Sequence, residues 1–288
     1  MMVANKIRRT LKPYDRPRPW AARDIDRSIQ YVFDVVDNWD RGFRDAGIPD
    51  WVRGRSVVEL GPGPDLGTGL ILLAKGARHY LAIDRFLLIG STPQEFYDRL
   101  LERLEGEPDV ERARKAHRIF QEGSLEGDLR YALLPEDPAG AEEPSGPAPD
   151  LWLSQAAFEH VGDPLSISRL VTSWSASDAI ALHHVDAATH TPWIRDADPL
   201  NILRYPEWLY KALSFPGSPN RWRSRRYVDA FEDLGWDVVD NQQIHRLSSN
   251  SLALVKPALA KPFRSMDDEE LAVFSFRLVM RSRRIGRR

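Results

Sequence analysis

The segment that most limits what this chain can fold into is Val57-Val58-Glu59-Leu60, running directly into Gly61-Pro62-Gly63-Pro64-Asp65-Leu66-Gly67. With the apolar stretch Leu70 to Leu73 behind it, the pattern reads as strand, tight glycine turn and helix. Glycine lets a backbone turn sharply and lie close against a ligand. The helix that follows would direct its N–H groups and positive end toward whatever sits in the turn. A second apolar run, Leu81-Ala82-Ile83, ends at Asp84, 23 residues after Gly61. A carboxylate at that place can accept both hydroxyls of a ribose. The pattern implies an α/β chain that holds a nucleoside-like ligand over its strand ends.

The loop chemistry narrows the ligand. A dinucleotide turn wants G-x-G-x-x-G, and Leu66 stands where the third glycine or alanine belongs. Pro62 and Pro64 remove two backbone donors that a pyrophosphate would use. Glu59 adds a negative charge suited to an ammonium group and hostile to phosphate. A phosphate-binding P-loop is excluded because no Gly-Lys-Ser/Thr follows. The segment instead resembles motif I of the class I S-adenosylmethionine-dependent methyltransferases, E/D-x-G-x-G-x-G, with Asp65 in place of the third glycine.

Further along, Ile119-Phe120-Gln121-Glu122-Gly123-Ser124-Leu125-Glu126 is read as the end of the third strand. Asp150-Leu151-Trp152-Leu153-Ser154-Gln155-Ala156-Ala157-Phe158-Glu159-His160-Val161 resembles the family's fourth strand and its continuation. Together the three segments imply an S-adenosyl-L-methionine site, with S-adenosyl-L-homocysteine as product. Its candidate residues are Glu59, Gly61, Pro62, Gly63, Asp84, Arg85, Ser124, Leu125, Ser154 and Gln155. The resemblance implies a Rossmann-like, seven-stranded, mostly parallel sheet in the order 3-2-1-4-5-7-6, with an antiparallel last strand and helices on both faces.

Composition sets outer limits. Forty Lys and Arg against 42 Asp and Glu in 288 residues give a formal charge of −2, no signature of a general nucleic-acid binder. There is no cysteine, which excludes disulfides, zinc ribbons and cysteine nucleophiles. No apolar run approaches the roughly 18 residues of a membrane span, and no apolar core follows the basic N-terminus as in a secretory signal. A cytoplasmic protein is expected.

Organisation follows from patterning. Residues 1–50 read as a basic, mobile tail followed by a helix from Arg23 to Ala46, ended by Gly47 and Pro49. That helix either covers the ligand mouth or packs on the sheet edge. Residues 51–288 read as the methyltransferase domain. Two charged helices are expected between Gln94 and Lys115, and a surface loop over Pro135 to Pro149. A helix over Ser168–Trp174, strands at Ala179–Val185, Trp236–Val239 and Ala272–Met280, and a short acidic turn at Asp267–Glu270 complete the pattern.

The chemistry should lie beyond the carboxyl ends of the strands. Two clusters arrive there: Glu159-His160 after strand four, and His183-His184-Val185-Asp186 with His190 after strand five. The expected catalytic group is His184 as general base, oriented by Asp186, with His190 and His160 lining the same mouth. One of His183 and His184 is expected in the core, because the two alternate along a strand. In ubiquinone-type O-methyltransferases, which the Glu159-His160 segment resembles, a Glu three positions earlier helps bind metal. Ala156 stands there, so no metal is expected.

An insertion over 192–226, rich in Trp, Arg and Tyr, offers Arg204, Tyr205, Trp208 and Arg221 to a substrate. The expected acceptor is a hydroxyl oxygen of a small molecule or glycan. Nucleic acid is not expected, because no Asn/Asp-Pro-Pro-aromatic turn follows strand four. RNA or protein acceptors, or a cofactor-binding scaffold without turnover, remain the alternatives.

Overall fold

A computed structural model describes residues 24–283, except 125–126, 136–137 and 216. The basic N-terminal tail and Leu125 therefore lie outside the described residues.

Seven strands form one sheet in the order β3-β2-β1-β4-β5-β7-β6. They are β1 Ser56–Leu60, β2 His79–Asp84, β3 Leu129–Leu133, β4 Leu151–Gln155, β5 Ile180–Asp186, β6 Trp236–Arg246 and β7 Val273–Ser282. The pairs from β3 to β5 are parallel, whereas β7 runs antiparallel to both β5 and β6. This is the strand order of the class I methyltransferase fold. It brings the carboxyl ends of β1, β2, β4 and β5 to one edge, where the chain crosses from one strand to the next.

Alternation along β1 assigns the two faces. Val57 belongs to a core built with helix α1 (Ile25–Asp45), α2 (Gly67–Ala74), α3 (Gln94–Arg103) and α4 (Val110–Gln121). Val58 faces the opposite core, with Trp152, Trp236, α5 (Pro164–Trp174) and α8 (Ser224–Asp233). Between α5 and α8 in sequence lie two short helices, α6 (Pro192–Arg195) and α7 (Glu207–Leu213). A third, smaller cluster joins Leu200, Leu203 and Tyr210 to Leu252, Leu259 and Leu271.

Helix α1 begins where the Asp24 carboxylate accepts from Arg27 N–H at 3.1 Å. It ends at Gly47, φ +73°, where Ile48 N–H bonds back to Phe43 carbonyl at 2.7 Å. Its Trp39 and Phe43 are fully buried on the sheet. Close approach is possible because Gly42 faces Leu182 and Arg277: a Cβ there would meet Leu182 Cδ1 at 2.6 Å and Arg277 Nε at 2.7 Å. Buried Arg277 ties the pieces together. Its Nη1 donates to Asn38 O at 2.7 Å and Asn38 Oδ1 at 3.1 Å, and its Nη2 reaches Asp45 and Gln242.

The third strand is a correction. Ile119 to Gln121 closes α4 rather than a strand: its apolar residues are one face of a helix, ended by Gly123 at φ +80°. β3 follows at Leu129–Leu133. The length of β6 differs as well. β6 is 11 residues long because it pairs with β7 along most of its length. The stretch from Asn201 to Leu213 breaks at Pro206 into a 3₁₀ turn, Asn201–Arg204, and α7.

Gly69 on α2 lies against Tyr80 of β2, and a Cβ there would stand 2.4 Å from the ring. Alanine gains about 1 kcal/mol of helix propensity over glycine. Overpacking a full core typically costs about 1–3 kcal/mol, and the Tyr80 ring is fully buried. Gly69→Ala is therefore expected to lower the urea midpoint of unfolding despite the better helix former.

Candidate active site

The edge of the sheet carries a cavity of about 280 Å³ above β1 and β4. Its floor is the loop from Gly61 to Asp65, its far wall is Gln155-Ala156, and Tyr31, Val32 and Val35 of α1 cover it. Gly61, at φ +69°, donates to Ile83 O at 2.8 Å, and an added Cβ would meet the Ala157 Cβ at 2.6 Å. Glycine is required there for both reasons. Ala156 has φ +50°, unusual for a residue with a side chain; strain of this kind concentrates at functional sites.

Glu59 is buried at the end of β1, where its Oε2 accepts from Thr68 Oγ1 and from Tyr80 OH, each at 2.6 Å. Burial pushes its carboxyl up to about 7; the two hydroxyls oppose this, and the charges of Asp65 and Asp84 add to it. Asp65 also lines the cavity, and its Oδ1 accepts from Gly67 N–H at 2.8 Å, so the first turn of α2 is capped by the protein's own carboxylate. Burial raises Asp65 to about 6, against that backbone bond. Asp84 is raised by burial too, while backbone N–H groups of Phe86, Arg85 and Gly63 favour its charge.

Of the expected cofactor residues, Glu59, Gly61, Pro62, Gly63 and Gln155 line the cavity. Asp84 stands at the neighbouring strand end, with Oδ1 accepting from Phe86 N–H at 3.0 Å. Arg85 is exposed beside the Phe86 ring. Ser154 faces the core, hydrogen-bonded to His183 Nδ1 at 2.9 Å. Ser124 is corrected with the third strand. It precedes β3 and so lies at the amino end of a parallel strand, away from the cavity.

The histidines sort differently from the expectation. His183 is the core residue, parallel to Phe231 at 5.7 Å and lowered to about 3 by burial. His184 faces α1. Gln155 Nε2 donates to its Nδ1 at 2.6 Å, and its Nε2 lies 2.9 Å from Ser275 Oγ. Burial lowers it to about 4, with Asp186 opposing and Arg277 and His245 reinforcing. Asp186 does not orient it: the carboxylate pairs with Arg195 at 2.7 Å and accepts from Ala188 N–H.

His190 meets Glu159 and His160 instead. Its Nε2 is 3.7 Å from Glu159 Oε1, and its ring packs edge-on to His160 at 4.7 Å. Burial disfavours its charge, but Glu159, Asp186 and the Ala188 carbonyl outweigh that and raise it.

The proposed substrate residues of the insertion are largely engaged in its own packing. Arg204 Nε bonds Asp198 Oδ2 at 2.6 Å. Arg221 donates to Tyr205 O at 2.5 Å, pairs with Glu207 and lies 4.4 Å over the Tyr210 ring. Tyr205 packs on the third core cluster, while Trp208 is 70% exposed, as is Trp193 at 66%.

Sequence reasoning missed Tyr31, Asp65, Thr68 and Tyr80. Tyr31 is 44% exposed on an otherwise amphipathic helix, and its hydroxyl is raised by burial and by the charges of Glu59, Asp65 and Glu159. It lines the cavity.

By sequence, the chain matches no family model and no curated protein. Among solved structures it is similar to an S-adenosylmethionine-dependent methyltransferase from Mesorhizobium loti, at 13% identity and TM-score 0.44, over 82% of this chain and 97% of that one. It is also similar to a SAM-dependent methyltransferase from Aquifex aeolicus, at 12% identity and TM-score 0.39, over 84% and 88%. The fold stands on the strand order and register of this chain.

Glu59 fixes two pH dependences. A cationic ligand group beside it needs the ionised carboxylate, so affinity for S-adenosylhomocysteine should be level above pH 7. It should then fall as the pH drops, approaching about tenfold per unit. In the ligand-free protein the raised carboxyl stabilises the fold below the ordinary carboxylate range, and that contribution is lost as pH rises through 7. Glu59→Gln should abolish the first effect in calorimetry and flatten the second in melting curves between pH 5 and 8.

Proposed function

We propose that this chain transfers a methyl group from S-adenosylmethionine to an oxygen of a small molecule or sugar. The observation that carries the reading is the charge of the cavity. Among the described residues its lining includes two carboxylates, Glu59 and Asp65, and neither lysine nor arginine. A pyrophosphate would meet repulsion there, and a capped helix end that offers it little. A ligand with an ammonium and a sulfonium suits the same walls.

Methyl transfer from a sulfonium needs an acceptor held in line and a place for its proton. Gln155, fixed by His184 and by Asn38 Nδ2 at 3.3 Å, stands on the cavity wall as the group that orients what enters. His184 then acts as a positioning residue rather than a base, since both ring nitrogens are engaged and burial keeps it neutral. The acceptor's proton leaves to solvent on the side of the mouth that exposed His160 opens. Exposed Trp193 and Trp208 support a sugar or aromatic acceptor.

Calorimetry should show one site for S-adenosylhomocysteine and none for NAD; the reverse would overturn the reading. Tritiated cofactor offered to fractionated cell extract should label small molecules or glycan, and label confined to RNA or protein would overturn the acceptor class. His184→Ala should raise the KM for cofactor or acceptor by about tenfold through the freed Gln155. The pH profile of kcat should keep its shape, which a lost general base would not allow.

A further inference from the structure

Beyond β4 and β5, Glu159, His160 and His190 come together. Glu159 is 0% exposed, and among the described residues neither of its carboxylate oxygens has a hydrogen-bond partner. His190 Nε2, at 3.7 Å, is too far to donate to it. His190 Nδ1 lies 2.9 Å from Ala188 O, and His160 Nδ1 lies 2.8 Å from Gly217 O. A carbonyl can only accept, so each Nδ1 carries a proton, and in the neutral ring each Nε2 presents a lone pair. One ligand atom from each of the three residues lies within 4.8 Å of the other two.

A buried carboxylate with two imidazole lone pairs and no donor is an arrangement that a cation completes. Imidazoles tied through the remote nitrogen to backbone carbonyls are how ligating histidines are commonly held. Bonds of about 2.0–2.2 Å to one ion place neighbouring ligand atoms roughly 3–4 Å apart, and the 3.7 Å between Glu159 Oε1 and His190 Nε2 is such a spacing. A proton shared between those two atoms would need them closer.

We infer that Glu159, His160 and His190 bind a divalent transition cation. Two imidazoles with one carboxylate suit Mn²⁺, Fe²⁺, Co²⁺ or Zn²⁺ better than Mg²⁺ or Ca²⁺, which take oxygen ligands. His190, arriving from the turn after β5, supplies the third ligand. Glu159 forms the base of the site, and exposed His160 opens it to solvent, so coordination positions remain for other oxygens. Resting on the methyl-transfer reading, those positions would take the acceptor oxygen; the cation site itself does not depend on that reading.

The test is titration of the purified full chain with Co²⁺ in the absence of cofactor. One equivalent should bind, with the visible absorption of a nitrogen-ligated ion and a rise in melting temperature. Glu159→Gln and His190→Asn should each weaken binding by more than the roughly 10–100-fold that loss of an outer partner costs. His245→Gln, at an exposed position on β6, should bind as the unaltered chain does. Without Co²⁺, Glu159→Gln should melt higher than the unaltered chain, since an unpaired buried charge is removed, so failure to fold does not obscure the result. Absence of saturable binding at millimolar Co²⁺, or unchanged affinity in both ligand variants, would overturn the inference. S-adenosylhomocysteine binding measured on the same sample separates the two ideas. Homocysteine analogue without Co²⁺ sinks the cation site alone, and Co²⁺ without the analogue sinks the cofactor reading alone.

Discussion

A carboxylate buried at the end of an inner strand is the constraint on which the rest of this structure depends. Left alone, the Glu59 charge would cost several kcal/mol to desolvate. Two hydroxyls at 2.6 Å offset that cost, and each imposes a further requirement. Thr68 must sit in the first turn of α2, which holds the Gly61–Asp65 loop in place. Tyr80 must lie flat beneath that helix, which demands a glycine at position 69. The geometry of the glycine loop thus follows from a charge that is kept away from water yet faces a cavity.

That arrangement divides the strand ends into two electrostatic territories. Around β1 and β2, Glu59, Asp65 and Asp84 gather negative charge with hydroxyl and backbone donors, and among the described residues no side-chain cation lines the cavity wall. Around β4 and β5, a single buried carboxylate faces two imidazoles. Tyr31 of α1 feels the carboxylates of both territories.

The sheet was legible because β1 and β2 are short, largely apolar runs that end at Gly61 and Asp84, and because the segments read as β4 and β5 are apolar at their starts. The loop residues Glu59, Gly61 and Gly63 were legible for the same reason: the turn and its charge are local facts. The third strand was not. Ile119-Phe120 is apolar and precedes a glycine, which suits a strand end and a helix end equally, and Gly123 serves the latter. The partners of the histidines were also hidden. Whether Asp186 meets His184 or Arg195, and whether Glu159 meets His190, depends on where an insertion and a turn come to rest in space. Tyr31 carries no sequence mark beyond one large residue on the polar side of an amphipathic helix.

The two halves of α1 are fastened by different kinds of bond. Its carboxyl half is held by buried Arg277 on Asn38, an attachment that added salt barely reaches. Its amino half, which roofs the cavity, adds surface contacts of Arg99 with Asp26 and Arg103 with Gln30 to the buried packing of Ile29 and Val32. Exposed pairs of this sort contribute little and weaken with ionic strength. Added salt should therefore loosen only the surface edge of the roof, while Ile29 and Val32 keep it seated on the core.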